Sequence, residues 1–70
     1  MNTRDLEKEL RAEILHQLQK INRKACPNVY ERIQNEDGYA EIEERIIYMV
    51  ANEGLTPSAC IGQIESEMSE

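Results

Sequence analysis

Residues 39–68 decide the fold, and they read YAEIEERIIYMVANEGLTPSACIGQIESEM. In residues 39–53 the apolar side chains cover roughly 200° of a helical circumference, which is too wide for a helix that packs on one side only. We therefore predict a central helix that is contacted from two sides. Gly54 suits the left-handed position that ends a helix. Thr56 then predicts an N-cap, and Pro57 the first position, of a fourth helix that runs to about the end of this stretch.

The residues before this stretch predict one long helix and one short helix. Residues 3–25 carry leucine and isoleucine at the spacing of an amphipathic helix. Pro27 ends that helix, because proline disfavours helical geometry in the residue before it. A second helix is expected to start at about Asn28, whose spacing to Glu31 is that of a capping box, and to end at about Asn35.

Gly38 completes the predicted layout, because it suits a left-handed position after the second helix. No stretch alternates between apolar and polar residues, so we predict no strand. The expected fold is all-α, with a long first helix, a short second helix and a hairpin formed by the third and fourth. We expect residues 1–70 to form a single helical domain.

The charge of the chain is unevenly distributed. The net charge is −6, and it divides into +2 over residues 1–25 (six basic, four acidic) and −8 over residues 26–70 (two basic, ten acidic). Direct binding to a phosphate backbone needs clustered cations and is therefore not expected. The acidic half either serves solubility or forms an acidic face that meets a basic partner. The candidate residues for such a face are Glu41, Glu44, Glu65 and Glu67.

The residues that usually carry chemistry are few and separated. His16 is the single histidine, and it lies on the polar side of the first helix. Cys26 and Cys60 have no spacing that would assemble a zinc site, and the glycines form no phosphate-binding loop. We therefore predict no enzyme, no metal and no cofactor. A reactive thiol at Cys26, which precedes Pro27 in a loop, is the remaining catalytic alternative.

Residues 50–65 resemble the helix-turn-helix motif in outline, because a helix, a turn glycine and a capped helix follow one another. A recognition helix is flanked by cations that bind phosphate. Residues 57–70 contain no Lys or Arg and carry three Glu. We therefore interpret this segment as a hairpin used for packing.

These observations favour a small cytoplasmic adaptor or regulator that binds another protein, of the kind that phages and plasmids encode. No apolar run reaches the roughly 18 residues of a membrane span, and no secretory signal is evident. The alternative is a nucleic-acid-related regulator. Its acidic half would imitate DNA, or its basic segment 20–24 or helix-turn-helix-like hairpin would contact phosphate.

The partner is expected to bind the wide apolar face of the third helix and neighbouring side chains. Short chains with small cores often gain stability by oligomerising. We therefore also expect self-association, as a homodimer, through the third helix or the first. The candidate partner-binding residues are Leu15, Tyr39, Ile42, Ile46, Tyr48 and Met49.

Overall fold

The computed structural model describes the backbone of residues 3–69 and the side chains of residues 6–69. Over these residues the chain forms four helices and no strand, which confirms the predicted all-α fold. α4 packs against each of the other three helices, and so does α3. The helices are α1 (Thr3–Lys20), α2 (Pro27–Arg32), α3 (Glu36–Glu53) and α4 (Pro57–Met68).

The turn between α3 and α4 has the geometry that its sequence predicts. Gly54 adopts a left-handed conformation, with φ 70° and ψ 20°, and its N–H donates to the carbonyl of Val50. The hydroxyl of Thr56 accepts a hydrogen bond of 3.2 Å from the N–H of Ala59. Pro57 then occupies the first helical position, where a missing N–H costs nothing. Local signals alone therefore determine this hairpin.

The start of α3 differs from the prediction. The helix begins at Glu36, because the side chain of Asn35 accepts a 2.7 Å hydrogen bond from the N–H of Gly38 and so acts as its N-cap. Gly38 lies inside the first turn and does not have a positive φ. A methyl group there would lie 2.0 Å from the main-chain oxygen of Arg32. Glycine is thus required for close approach of α2 to α3, and not for a left-handed turn.

α1 ends at Lys20, five residues before its predicted end. The physical reason lies in Asn22, whose side chain accepts a 2.8 Å hydrogen bond from the N–H of Ala25, while its carbonyl accepts one from Cys26. A side chain that bonds to the nearby backbone offers it an alternative to the helix. The connection 21–26 is therefore a turn, and its basic side chains project from that turn instead of from a helix.

The N-terminus of α2 is capped by a residue from α4. The N-cap position is Cys26, whose side chain makes no capping bond, so the predicted capping box of Asn28 and Glu31 is not formed. The carboxylate of Glu65 instead accepts hydrogen bonds from the N–H groups of Asn28 at 3.0 Å and Val29 at 2.9 Å. These are the amides that an N-cap side chain ordinarily satisfies.

Further bonds complete the environment of the Glu65 carboxylate, which is only 8% exposed. The side-chain amide of Asn28 donates to it at 2.7 Å, and the hydroxyl of Ser69 lies 3.2 Å away. Burial opposes ionisation of Glu65, but the hydrogen bonds from Val29, Asn28 and Ser69 outweigh it and hold its pKa below the ordinary value. A buried charge thus fixes α2 against α4.

The core explains why the apolar face of α3 is so wide. Ile46 at its centre is fully buried, and α1, α2 and α4 all contact this helix. α3 is therefore packed within the chain on more than one side, as its pattern predicts. The buried core residues are Ile14, Leu18, Val29, Ile42, Ile46, Met49, Cys60, Ile61 and Ile64.

Candidate functional site

A surface groove lies where the connection 21–26, α2 and the start of α3 meet. It consists of two adjoining depressions of about 430 Å³ and 260 Å³, which share Tyr30 and Gln34 in their walls. The smaller depression has a mainly apolar floor, while the larger opens toward charged side chains. We call this surface the Tyr30 groove and define it by Ile21, Arg23, Tyr30, Ile33, Gln34 and Tyr39.

Tyr30 lies at the centre of the groove, because it lines both depressions. The guanidinium carbon of Arg23 lies 5.6 Å from the centre of its ring, which is the distance of a cation–π contact. The side-chain amide of Gln34 donates a 2.9 Å hydrogen bond to the carbonyl of Tyr30. The turn formed around Asn22 brings Arg23 to this position, and the capping of α2 by Glu65 holds the helix that carries Tyr30.

Tyr39 closes the apolar side of the groove. Its ring is half-buried, and burial, assisted by the nearby carboxylate of Glu43, raises the pKa of its hydroxyl. The hydroxyl therefore stays protonated at neutral pH and can donate a hydrogen bond. Ile21 and Ile33 are also half-buried and pack against the core. The groove thus offers partly exposed apolar surface together with polar donors.

Three cations that are close in sequence form a basic patch, which we define as Lys20, Arg23 and Lys24, and of these Arg23 lines the groove. All three are exposed, and none has a carboxylate of the described residues within 4.0 Å. Three other arginines behave differently, because each forms an ion pair with a glutamate. These paired residues are Arg11, Arg32 and Arg45.

Three of the four residues predicted to form an acidic face are engaged within the chain in different places. Glu41 lies 3.5 Å from Arg32, and Glu67 forms an ion pair with Arg45. Glu65 is buried under α2, as described above. Glu65 therefore does not belong to an exposed acidic face, whereas Glu41 and Glu67 stay exposed within their ion pairs.

The fourth predicted acidic residue, Glu44, belongs to an ion-pair cluster that joins α3 to α1. Arg11 lies 3.3 Å from Glu44 and 2.9 Å from Glu7, and it also pairs with Glu43. Hydrogen bonds from Arg11 to Glu7 and Glu44 raise the pKa of the guanidinium. The cluster is largely exposed to solvent, so its contribution to stability is expected to be small.

The six residues predicted to bind a partner are not brought together. Ile42, Ile46 and Met49 are at most 3% exposed, because they form the core, and a partner cannot reach them while the domain is folded. Tyr39 lines the Tyr30 groove. The two others, Leu15 on α1 and Tyr48 on α3, are 43% and 64% exposed. They keep the surface position that a partner-binding residue needs.

The residues that were considered for catalysis differ in their exposure. Cys60 is buried and Cys26 is partly buried. Burial, with a further contribution from the carboxylate of Glu65, raises the pKa of the Cys26 thiol, and burial also raises that of Cys60. His16 is exposed on α1. In the part of the chain that the structure describes, no three His, Cys, Asp or Glu side chains converge to hold a metal ion.

The α3–α4 hairpin has the role expected of a packing element. Cys60, Ile61 and Ile64 on α4 are buried against the other helices. The opposite side of α4 exposes small and polar side chains and no cation. Within residues 3–69, no helix is both long and apolar enough to cross a bilayer.

Sequence reasoning identified the basic segment 20–24 and Tyr39 but did not connect them with Tyr30, Ile33 or Gln34. The available signal was a basic cluster followed, after Pro27, by the aromatic residue Tyr30. The chain matches no protein-family model, no curated protein and no solved structure. Any assignment of function therefore rests on the residues of the groove and the basic patch.

Proposed function

We propose that this chain is a non-enzymatic protein-binding module and that the Tyr30 groove is its binding surface. The observation that carries the proposal is the apolar floor of the groove, which adjoins a depression lined by Arg23 of the basic patch. Tyrosine and arginine are the residue types that most often anchor protein interfaces, since each combines a large contact area with hydrogen-bonding groups. Arg23 stacked on Tyr30 presents both in one place.

The pairing of charges elsewhere supports a binding surface at this end of the molecule. Where the glutamates of α3 and α4 pair with arginines, the charge of both groups is largely neutralised locally. The basic patch retains its full charge, although the chain as a whole carries −6. Within about one Debye length, roughly 8–10 Å, such a patch attracts the acidic groups of a partner to this part of the surface.

Direct nucleic-acid binding has less support than protein binding. Affinity for a phosphate backbone rises with the number of phosphates that Lys and Arg neutralise. The patch supplies three cations, and the carboxylates of the remaining surface would repel the strand. Imitation of DNA also has little support, because the four candidate carboxylates are buried or paired with arginines.

A matched pair of charge reversals tests the proposal. Lys24→Glu changes the basic patch, while Lys8→Glu makes the same change on α1, about 18 Å along that helix from Lys20. Both lysines are exposed, so neither change should affect folding. The tagged full chain and both variants would be used to capture proteins from a cell extract, with quantification by mass spectrometry.

We expect at least one protein to be retained by the unmodified chain and by Lys8→Glu but depleted with Lys24→Glu. Calorimetric titration with that purified protein should then show weaker binding to Lys24→Glu than to the unmodified chain or Lys8→Glu. If every retained protein responds equally to the two reversals, the groove is not the binding surface. If nothing is retained above background at several salt concentrations, the protein-binding function itself is refuted.

A further inference from the structure

We infer that the Tyr30 groove binds an acidic peptide segment of its partner, in which two or more carboxylates flank one large apolar side chain. The inference rests on the proposed function and specifies the chemistry of the ligand. It follows from two properties of the surface that lie side by side, which are the unpaired positive charge of the basic patch and the small apolar depression between α2 and α3.

The cations of the basic patch have no ion-pair partner among the described residues. Lys20, Arg23 and Lys24 lie within five positions of one another, with Lys20 at the end of α1 and the other two in the turn around Asn22. Mutual repulsion of three exposed cations is relieved when a partner brings carboxylates among them. Arg23 is the member nearest the groove, and its planar guanidinium suits bidentate binding of a carboxylate. One acidic residue, Glu31, lines the larger depression together with Arg23, and Arg23 also shares a second depression with Lys24. The charges on this side of the groove are therefore those of two cations and one carboxylate.

The smaller depression has the size and lining of a pocket for one apolar side chain. Its volume of about 260 Å³ lies below the range of roughly 300–1,000 Å³ that is usual for small-molecule sites. Its walls include Ile21, Ile33 and the rings of Tyr30 and Tyr39. This surface fits one apolar side chain, and Gln34 at the edge offers polar contacts to a peptide backbone. The phosphate groups of a nucleic acid make no favourable contact with an apolar floor. We therefore favour a peptide.

Selection from a displayed library of random peptides tests this inference, with the biotinylated full-length chain as bait. We expect the enriched peptides to carry a cluster of Asp or Glu next to a single Leu, Met or Phe. The best of these would be synthesised with a fluorescent label, and its binding measured by anisotropy to the unmodified chain, Lys24→Glu and Lys8→Glu. Binding should weaken about tenfold with Lys24→Glu, change less than about twofold with Lys8→Glu, and weaken as salt rises.

Each other outcome contradicts the inference and points to a different ligand or to none. Enriched peptides that are basic or uncharged, or that bind Lys24→Glu as well as they bind the unmodified chain, would overturn it. An unrelated single-stranded oligonucleotide that competes for the site more strongly than the acidic peptide would assign the groove to nucleic acid. A dimer of the chain that the acidic peptide dissociates, measured by sedimentation, would assign the groove to a second copy. Failure to enrich any peptide also rejects the acidic ligand, while the capture experiment above decides independently whether the module binds proteins.

Discussion

Replacing Glu65 by alanine removes the carboxylate that caps α2, and the expected cost follows from the groups left behind. The N–H of Val29, a fully buried residue, loses its 2.9 Å acceptor, and an unsatisfied buried amide costs about 1–3 kcal/mol. The N–H of Asn28 is only partly buried, so water replaces much of its bond, and loss of a helix cap there adds about 1 kcal/mol. We therefore expect Glu65→Ala to lower the free energy of unfolding by about 2–4 kcal/mol.

This loss is large for so short a chain. At roughly 0.05–0.15 kcal/mol per residue, seventy residues have a stability of about 4–10 kcal/mol. The matched control is Glu67→Ala, which removes an equally charged side chain two positions further along α4. Glu67 forms an exposed ion pair with Arg45, and loss of such a pair costs about 0–1 kcal/mol. Glu65→Gln keeps one acceptor oxygen and should fall between the two.

Urea denaturation followed by far-ultraviolet circular dichroism measures these differences as shifts in the midpoint. The capping argument is wrong if Glu65→Ala and Glu67→Ala lose the same stability within about 0.5 kcal/mol, the spread typical of surface substitutions. A loss of stability in Glu65→Ala but not in Glu67→Ala, together with weaker amide-exchange protection in α2, would support the capping role of Glu65. The reason is that this carboxylate accepts the hydrogen bonds of the first two free amides of α2.

The same carboxylate makes stability depend on pH, with a sign set by its lowered pKa. Burial acts against that lowering, but the hydrogen bonds from Val29, Asn28 and Ser69 dominate. The folded state therefore binds the proton less readily than the unfolded state, whose glutamate pKa is about 4.3. The stabilisation is complete above that pKa and is lost as pH falls through the lower folded value. Glu65→Gln should have a flatter stability profile below about pH 5 than Glu67→Gln.

Three further predictions concern other parts of the molecule. Gly38→Ala should lower the thermal midpoint, because its methyl group meets the Arg32 carbonyl, whereas Gly62→Ala, which has no neighbour within 4 Å, should add about 0.5–1 kcal/mol. Cys26 should react with a disulfide reagent more slowly than a free cysteine, since its pKa is raised; faster reaction would revive the reactive-thiol hypothesis. Self-association through α1 or α3 remains a prediction, and Leu15→Glu should weaken a dimer that forms through α1, as detected by sedimentation at high micromolar concentration.

The sequence was most informative where structure depends on neighbouring residues. The left-handed Gly54, the Thr56 cap and Pro57 are local signals, and the structure has each of them as predicted. The wide apolar pattern of residues 39–53 also identified a helix packed on several sides, because helical periodicity is visible in one dimension. It did not reveal which apolar residues remain exposed, so Ile46 was expected at a partner surface although it lies in the core.

The predicted helix ends are wrong where an asparagine side chain can bond to the backbone either in a turn or at a helix cap. Asn22 bonds to its own turn and ends α1 early, whereas helical periodicity continued to residue 25. Asn35 followed by acidic residues is an N-cap signal, but Gly38 three positions later favours a helix end and leads to the wrong prediction. Asparagine favours both caps and turns, so its position in a pattern does not decide between them.

By itself the sequence determined the number of helices, their order and most of their ends, because caps, breakers and periodicity act over a few residues. Only the tertiary structure decided that Glu65 caps a helix 36 positions earlier in the chain, that Gly38 admits the carbonyl of Arg32, and that Arg23 covers Tyr30. Each of these contacts depends on how helices approach one another, which packing of the whole core sets. The Tyr30 groove belongs to this second group, since its walls come from α1, α2, α3 and the turn that joins the first two.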